Sequence, residues 1–408
     1  MRNKIISWLK AVFWAPVKAR MQEKIVQKDE EHYTAALKEK GLSEEIIHLV
    51  DFVKEKLSAR LTSRSISPVV KPKGGLHILY LSPFDGWERA NMPAALEKFG
   101  KVSYYIPDDH GFKIRAQQYG PNWKEERRQM NKEIHAFVKE LHRKEKIDIV
   151  ISYLSGYHLL PATVEAIGQL GIITTAFWLD DKLKFRGRFD GEVYEGGASV
   201  CKAYDLHLTS AWKSVKKYVV EGGLAVFWPE GGTPEHFKPV DLPEKYDVSF
   251  IGARYGLRGS YISYLQRHGI SVQAFGMGWP AGLLPAGEMI NVYAQSKINI
   301  GFNGQGYSMK ATHLKGRDFE VPLCGAVYLT THDEDHHRVY KLDEEIFTYR
   351  NKKEMLQKVK MLLQDDSLRA AAKEKARRRC MAEHTWENRF QYLFELTGLL
   401  QQDDLRNR

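Results

Sequence analysis

Short apolar runs alternate with longer segments of helical periodicity along most of this chain. In the first half the runs comprise residues 77–82, 102–106, 147–152, 172–178, 205–210 and 225–228, and the helical segments comprise residues 90–99, 124–146, 159–170 and 211–221. The runs resume in the second half at residues 247–252, 271–275, 297–302 and 326–330. Strand and helix in alternation are typical of parallel sheets covered on both faces. The pattern predicts an α/β fold with two Rossmann-like domains that face a cleft, with ligands beyond the carboxyl ends of the strands.

Changes in composition divide the chain into four parts. Residues 1–73 are charged and helical in pattern, and they predict an α-helical N-terminal extension that ends in a linker rich in proline and glycine. The glycine- and proline-rich stretch 230–245 predicts the crossover between two domains. We therefore expect Rossmann-like domains at residues 74–235 and 236–385. We also expect a last helix, in residues 386–408, that crosses back to the first domain.

The net charge is +10, from 61 Lys and Arg against 51 Asp and Glu. An excess of this sign favours an anionic partner, such as a membrane surface, a nucleotide or a nucleic acid. We expect no nucleic-acid partner, because no zinc-finger spacing, ribonucleoprotein motif or clear helix-turn-helix occurs. Cys201, Cys324 and Cys380 form no C-x-x-C pair, which favours a cytoplasmic protein without disulfides or structural zinc. No apolar run has the length that a membrane-spanning helix needs.

Residues 1–28 combine seven basic side chains with one acid, Glu23. Apolar residues recur there at every fourth position, namely Ile5, Leu9, Phe13 and Val17, with tryptophans nearby. A basic amphipathic stretch of this kind is typical of helices that lie on an anionic membrane surface. It predicts a cytoplasmic protein held peripherally at the inner face of the membrane. The alternative is a helix that packs on the protein's own domain.

The segment Leu314–Thr330 predicts a short helix followed by a buried strand. Gly325 ends the helix, as glycine often does just past a helix C-terminus, and residues 326–330 form an apolar run. Lys315 and Arg317 lie near the start of the helix, where cations and backbone N–H groups suit an anion. Glu320, one turn further on, is placed to accept hydrogen bonds from both hydroxyls of a ribose. The alternative is a helix surface with ordinary charge pairs.

The same segment contains the pattern R-x-F-E-x-x-x-C-G before a hydrophobic strand, formed by Arg317, Phe319, Glu320, Cys324 and Gly325. It resembles the C-terminal domain of GT-B glycosyltransferases, specifically the CgeB-like (spore maturation protein type) group. Further segments resemble that family at residues 246–256, 273–279, 292–303 and 377–390. The resemblance covers roughly residues 75–400 and is most specific after residue 245.

The resemblance implies transfer of a sugar from a nucleotide-diphosphate sugar to an acceptor hydroxyl. The first Rossmann-like domain would bind the acceptor, a glycan or glycolipid, and the second would bind the donor. The basic amphipathic stretch of residues 1–28, rather than the resemblance, favours a lipid-linked or envelope-glycan acceptor. It implies no cofactor, since the nucleotide sugar is a substrate, and no catalytic metal.

Two loops after predicted strands are implied by the resemblance to contact the donor pyrophosphate. One contains Gly252, which permits close approach of the backbone, and two candidate phosphate ligands, Arg254 and Arg258. The other begins with Asn303. Without the resemblance, both loops are also compatible with solvated surface turns.

Candidate catalytic residues follow two strands of the first domain. Asp180 and Asp181 end the run FWLDD, where one carboxylate could act as the general base and adjacency would raise the pKa of the other. The alternative is that they cap the following segment, and metal ligation is the weakest of the three interpretations. His158 follows the strand before it and starts a predicted helix whose dipole would keep the imidazole neutral. It would contact the donor sugar or the acceptor, or be structural.

One position departs from the wider group. Retaining relatives have a second glutamate eight residues before the first, where this chain has Thr312, so retention or inversion at the anomeric carbon stays open. Three other functions also stay open: a nucleotide-sugar epimerase, a non-catalytic glycan-binding or coat-assembly protein, and a membrane-surface scaffold. The histidines and acids of residues 332–337 predict a solvated turn and helix, with a metal site as the weaker alternative.

Overall fold

The computed structural model describes residues 14–115, 119–285 and 287–401. The chain forms two compact units. The six-stranded unit comprises Asp29–Pro229 and the chain from Trp386 onward, and the five-stranded unit comprises Glu230–Thr385 with the chain up to Lys28.

All strands of the six-stranded unit are parallel, in the order β2-β1-β3-β4-β5-β6. They are β1 Leu76–Leu81, β2 Gly100–Tyr105, β3 Ile149–Ser152, β4 Ile173–Trp178, β5 Leu206–Thr209 and β6 Ala225–Phe227. The five-stranded unit is also parallel, in the order β11-β10-β9-β7-β8. Its strands are β7 Tyr246–Ile251, β8 Val272–Phe275, β9 Ser296–Ile300, β10 Tyr328–Thr331 and β11 Phe347–Tyr349.

Helices connect successive strands of both sheets, and further helices precede the first strand and follow the last one. In chain order they are α1 Ala15–Glu39, α2 Glu44–Ile47, α3 Val50–Ser63, α4 Gly86–Leu96, α5 Trp123–Lys144, α6 Pro161–Gly168, α7 Asp181–Lys184, α8 Val215–Val220, α9 Arg258–Arg267, α10 Glu288–Ala294, α11 Arg317–Leu323, α12 His336–Val339, α13 Lys352–Gln364, α14 Asp366–Glu383 and α15 Trp386–Leu396. The predicted α/β fold with two parallel-sheet, Rossmann-like domains and a helical N-terminal region is confirmed.

Apolar strands form the core of each unit because both faces of a parallel sheet are covered. The six-stranded core contains Ile78, Ile151 and Phe177, and α15 adds Trp386 and Phe394 to it. In the five-stranded unit, every residue of β10 is buried. Removal of such side chains from water stabilises a fold by about 1.5–3 kcal/mol each.

The helical N-terminal region is interrupted between α2 and α3. Ser43 caps α2, because its hydroxyl accepts a hydrogen bond from Ile46 N at 3.4 Å. The break before α3 coincides with His48, whose ring stacks on Trp212 with centroids 3.4 Å apart. That long-range contact involves a residue far along the chain, so helical periodicity does not predict it.

The segment around Gly325 folds as the sequence predicts. Helix α11 ends at Leu323, and Gly325 has a φ of 65°, the left-handed conformation that glycine adopts most easily. Strand β10 begins at Tyr328, two residues later than the apolar run suggests. Among the described residues, none of the helices is both long enough and apolar enough to span a bilayer.

Candidate functional site

The start of α11 is held by an internal polar network. Asp318 accepts a hydrogen bond from Lys315 N at 2.7 Å and two from the amide of Asn303, at 2.8 and 3.0 Å. Asn303 accepts in turn from the hydroxyl of Thr330 on β10, at 3.0 Å. These bonds fix the segment that presents Lys315, Arg317 and the rest of the first turn.

Asn303 therefore does not present its amide to a ligand in this structure. Only 1% of the residue is exposed, and both ends of its amide bond to neighbouring side chains. The sequence predicts Asn303 as a donor contact, and the geometry instead favours a role in positioning α11.

Glu320 shares its surroundings with a carboxyl that the sequence analysis missed. Oε1 of Glu320 and Oε2 of Glu230 each lie 3.1 Å from the point where a Cβ on Gly316 would stand. Burial first, and then the charge of Glu320, raise the pKa of Glu230 to about 8, while Lys315 and Arg317 act in the opposite direction. The three predicted residues Lys315, Arg317 and Glu320 are thus brought together around Glu230.

Three buried polar atoms beside this cluster have no hydrogen-bond partner among the described residues. They are Nε of Arg317 and the hydroxyls of Tyr293 and Tyr328. Buried polar groups in proteins are nearly always bonded, so such atoms indicate a place that a polar ligand or water satisfies. The two tyrosines lie in apolar stretches of the sequence, where no local signal marks them as site residues.

Two arginines in and after the loop that follows β7 differ in exposure. Gly252 and Gly256 have φ values of 153° and 57°, and the carbonyl of Gly252 accepts from the Trp279 indole at 2.7 Å. Arg254 is exposed, with its guanidinium 5.2 Å from the centre of the Trp279 ring. An exposed cation beside a glycine loop is available to an anionic ligand.

Arg258 is instead buried, and it stabilises that loop through internal contacts. Its guanidinium lies 3.9 Å from the centre of the Tyr255 ring and donates to the hydroxyl of Tyr255 and to the carbonyl of Ala253, at 2.7 and 3.0 Å. Burial lowers the pKa of Arg258 to about 10. The geometry therefore favours a structural role for Arg258 and leaves Arg254 as the phosphate candidate of the pair.

His158, in the six-stranded unit, has both ring nitrogens engaged. Nδ1 is 2.6 Å from the Ser155 hydroxyl, and Nε2 is 2.6 Å from the Tyr119 hydroxyl and 2.7 Å from the Ile114 carbonyl. Burial lowers the pKa of His158 to about 4, so the imidazole is neutral. The predicted neutral state holds, but the helix dipole is the wrong cause because α6 begins only at Pro161. The contacts favour the structural alternative.

The two aspartates after β4 lie in different environments. Asp181 is fully buried, and it accepts a hydrogen bond from the Tyr218 hydroxyl at 3.0 Å. Burial raises the pKa of Asp181 to about 6, against the opposing effects of Thr209 and Lys217. The predicted cause, a charge on the adjacent Asp180, is not among the causes of this shift. Asp180 is partly exposed at the start of α7 and makes no side-chain capping bond, so it is the more accessible carboxylate.

The turn and helix predicted at residues 332–337 are present, but the prediction that they are solvated is wrong. Asp333, Asp335 and His336 are buried, and Asp333 accepts a hydrogen bond from the Thr312 hydroxyl at 2.6 Å. His336 lies 3.5 Å from Asp318, so the segment supports the start of α11. No group of three potential metal ligands with suitable geometry occurs in the part of the chain that the structure describes.

Comparisons with known proteins agree with this architecture. Residues 260–395, which contain α11, match the model of a family described as glycosyl transferase-like. No curated protein matches the sequence.

Solved structures with the same fold include three glycosyltransferase-type proteins. Sucrose-phosphate synthase from Thermosynechococcus elongatus has 12% identity and a TM-score of 0.56, over 79% of this chain and 98% of the other. A glycosyltransferase from Rickettsia africae has 11% identity and a TM-score of 0.54, over 80% and 98%. Anabaena HepE in complex with UDP and glucose has 11% identity and a TM-score of 0.54, over 79% and 100%.

These likenesses define the fold as GT-B, and the matched model places a glycosyl transferase-like domain within it. Residues 260–395 are thus similar to a glycosyl transferase-like domain, and the chain has a GT-B fold. The roles of individual side chains follow from its own geometry.

Proposed function

We propose that the five-stranded unit binds a nucleoside diphosphate sugar at the start of α11. The observation that carries this proposal is the convergence of Lys315, Arg317 and Glu320 beside buried, unpartnered hydroxyls. Glu320 would accept hydrogen bonds from the two ribose hydroxyls, and the cations with Arg254 would hold the diphosphate. The UDP in the complex of Anabaena HepE supports this donor class.

The reaction would break the bond between the anomeric carbon and the diphosphate and form a glycosidic bond to an acceptor hydroxyl. Lys315 and Arg317 would offset the charge that grows on the departing diphosphate, which is the usual source of catalysis in such transfers. Asp180, the more accessible of the two aspartates, would take the acceptor proton as the general base. The acceptor would be an envelope or lipid-linked glycan. The proposed reaction needs no cofactor and no metal ion. The motif around Glu320 supports placement in the CgeB-like group.

Calorimetry with nucleoside diphosphates tests the donor site. Glu320→Ala should lower the affinity for the tightest-binding nucleotide by tenfold or more, on the order of 1.4 kcal/mol, because the ribose hydroxyls lose their acceptor. Glu374→Ala, on the exposed face of α14, is the matched control and should bind normally. Unchanged affinity in folded Glu320→Ala would remove Glu320 from the site.

A donor-only incubation separates transfer from epimerisation. A transferase should leave the nucleotide sugar largely unchanged without an acceptor, whereas an epimerase would convert the free nucleotide sugar. Conversion of the donor to a stereoisomer without acceptor would contradict the transfer proposed here.

A second proposal concerns the membrane, and it rests on the two faces of α1. Trp14, Val17, Met21 and Ile25 are 47–62% exposed and recur every three or four residues. The exposed basic residues around this stripe are Lys18, Arg20, Lys24 and Lys28. Apolar and basic groups on one helix surface suit an anionic lipid surface. We infer that the enzyme lies peripherally at the cytoplasmic face of a membrane.

The opposite face of the same helix packs inside the five-stranded unit. Ala15 and Ala19 are buried, and the Gln22 side chain accepts a hydrogen bond from Tyr307 N at 2.8 Å. The Ser308 hydroxyl donates to Glu23 at 3.1 Å. These contacts support the packing alternative for this face, while the exposed stripe on the other face supports the lipid interpretation. Ile5, Leu9 and Phe13 lie outside the described residues.

A further inference from the structure

Two carboxyl groups lie side by side at the start of α11. One oxygen of Glu230 and one of Glu320 are each 3.1 Å from the same point beside Gly316. The chain that carries Glu230 packs on the helix, since a Cβ on Gly232 would be 3.7 Å from the Cα of Glu320. Gly232 also pairs with Thr385 in a parallel β-bridge. The backbone therefore holds the two carboxyls together, independently of any ligand.

The carboxyl groups of Glu230 and Glu320 are buried, and burial disfavours the ionised form of both at once. Both Glu230 and Glu320 are 8% exposed, and two ionised carboxylates so close in a poorly solvated place repel strongly. Burial and Glu320, followed by Asp318, raise the pKa of Glu230, whereas Lys315 and Arg317 lower it, and the balance is about 8. At neutral pH the pair thus retains one proton.

We propose that Glu230 is a second ribose-binding residue, which donates a hydrogen bond through its retained proton while the Glu320 carboxylate accepts. This inference rests on the proposed nucleotide site. An ionised carboxylate only accepts hydrogen bonds, whereas a carboxylic acid both donates and accepts. Each ribose hydroxyl also does both, so an acid next to a carboxylate complements the 2′,3′-diol more fully than two carboxylates. The single negative charge also repels the nearby diphosphate less.

Nucleotide binding is then linked to one proton. Below the pKa of Glu230 the proton is already present, and affinity does not depend on pH. Above it, each binding event must take up a proton from solution, so affinity should fall about tenfold per pH unit. The 2′-deoxy nucleotide, which lacks one hydroxyl of the diol, should bind more weakly than the ribonucleotide.

Calorimetry on the full chain tests this linkage. UDP, GDP and ADP are titrated at about pH 7 and about pH 9, in buffers of different ionisation enthalpy that report proton uptake. For the tightest nucleotide we expect roughly tenfold weaker binding at the higher pH, with proton uptake. Glu230→Gln, which keeps a donor but cannot ionise, should show neither effect. Glu374→Gln, exposed on α14, should match the wild type.

The possible results distinguish failure of the proposed Glu230 role from failure of the proposed nucleotide site. Wild-type binding that is equal at both pH values and takes up no proton would overturn the role of Glu230 and leave the nucleotide site standing. The same holds if Glu230→Gln keeps the wild-type pH dependence. A folded wild type that binds none of the nucleotides at either pH would overturn both proposals. If Glu230→Gln does not fold, the wild-type proton uptake and the ribose-to-deoxyribose comparison decide.

Discussion

At the scale of single residues, two adjacent aspartates that look equivalent in the sequence lie in different environments. Asp180 is partly exposed, whereas Asp181 is buried against the Tyr218 hydroxyl. We predict that Asp180→Asn lowers the turnover number by at least about a hundredfold with an unchanged melting temperature, as expected for loss of a general base. Steady-state kinetics and thermal melts measure the two effects. A fully active Asp180→Asn enzyme would place the base elsewhere.

Asp181→Asn should act on stability instead. The folded-state pKa of Asp181, about 6, lies above its ordinary value of 3.8, so folding holds its proton more tightly than the unfolded chain does. Its contribution is fully present below about pH 4 and is lost as pH rises through about 6. The wild type should therefore lose stability relative to Asp181→Asn over this window, as measured by urea unfolding. A constant difference between the two proteins would contradict the raised pKa.

The sequence identifies Lys315, Arg317 and Glu320 because they lie close together in one short segment that contains a recognisable motif. It does not identify Glu230, which lies in a loop and meets Glu320 only through folding. For Asn303 and Arg258 the residue type suggests a ligand contact, yet their side chains are bonded internally. The local sequence pattern predicts which polar residues follow a strand. Whether their side chains are free to contact a ligand or bond internally depends on the tertiary structure.

At the scale of elements, α11 and β10 depend on the turn that joins them. Gly325 has a φ of 65°, and an added Cβ would come no closer than 3.4 Å to Pro239. Gly325→Ala should therefore cost about 1–2 kcal/mol of unfolding free energy through backbone strain rather than through a clash. Urea denaturation measures this cost. Gly325→Asn should lose less, because asparagine tolerates the left-handed conformation, and equal stability of all three proteins would refute the strain argument.

Element boundaries were harder to predict than element types. Both parallel sheets follow from alternation of apolar runs and helices, because that alternation has a local origin in side-chain periodicity. The division between α2 and α3 coincides instead with His48 stacking on Trp212, and the buried Asp333 and His336 contact Thr312 and Asp318. Both features arise from distant contacts, which a periodic pattern does not contain.

At the scale of the whole molecule, α1 presents an apolar, basic surface that no described residue covers. Replacing Trp14, Met21 and Ile25 with Gln removes the exposed stripe and leaves Ala15 and Ala19, on the packed face, unchanged. We predict that the wild type floats with anionic liposomes, less with neutral ones, and that moderate salt weakens the binding by screening. The triple variant should float much less and melt at the same temperature.

Exposed apolar residues elsewhere provide the control for this experiment. Met277 and Leu283 are 70% and 77% exposed, and they lie in a loop rather than on an amphipathic helix. Their replacement with Gln should leave flotation unchanged, because these two residues are not part of a basic amphipathic helix. Equal flotation of wild type and triple variant would contradict the membrane proposal. Loss of flotation in both the triple variant and the control would indicate nonspecific hydrophobic adsorption and would contradict it as well.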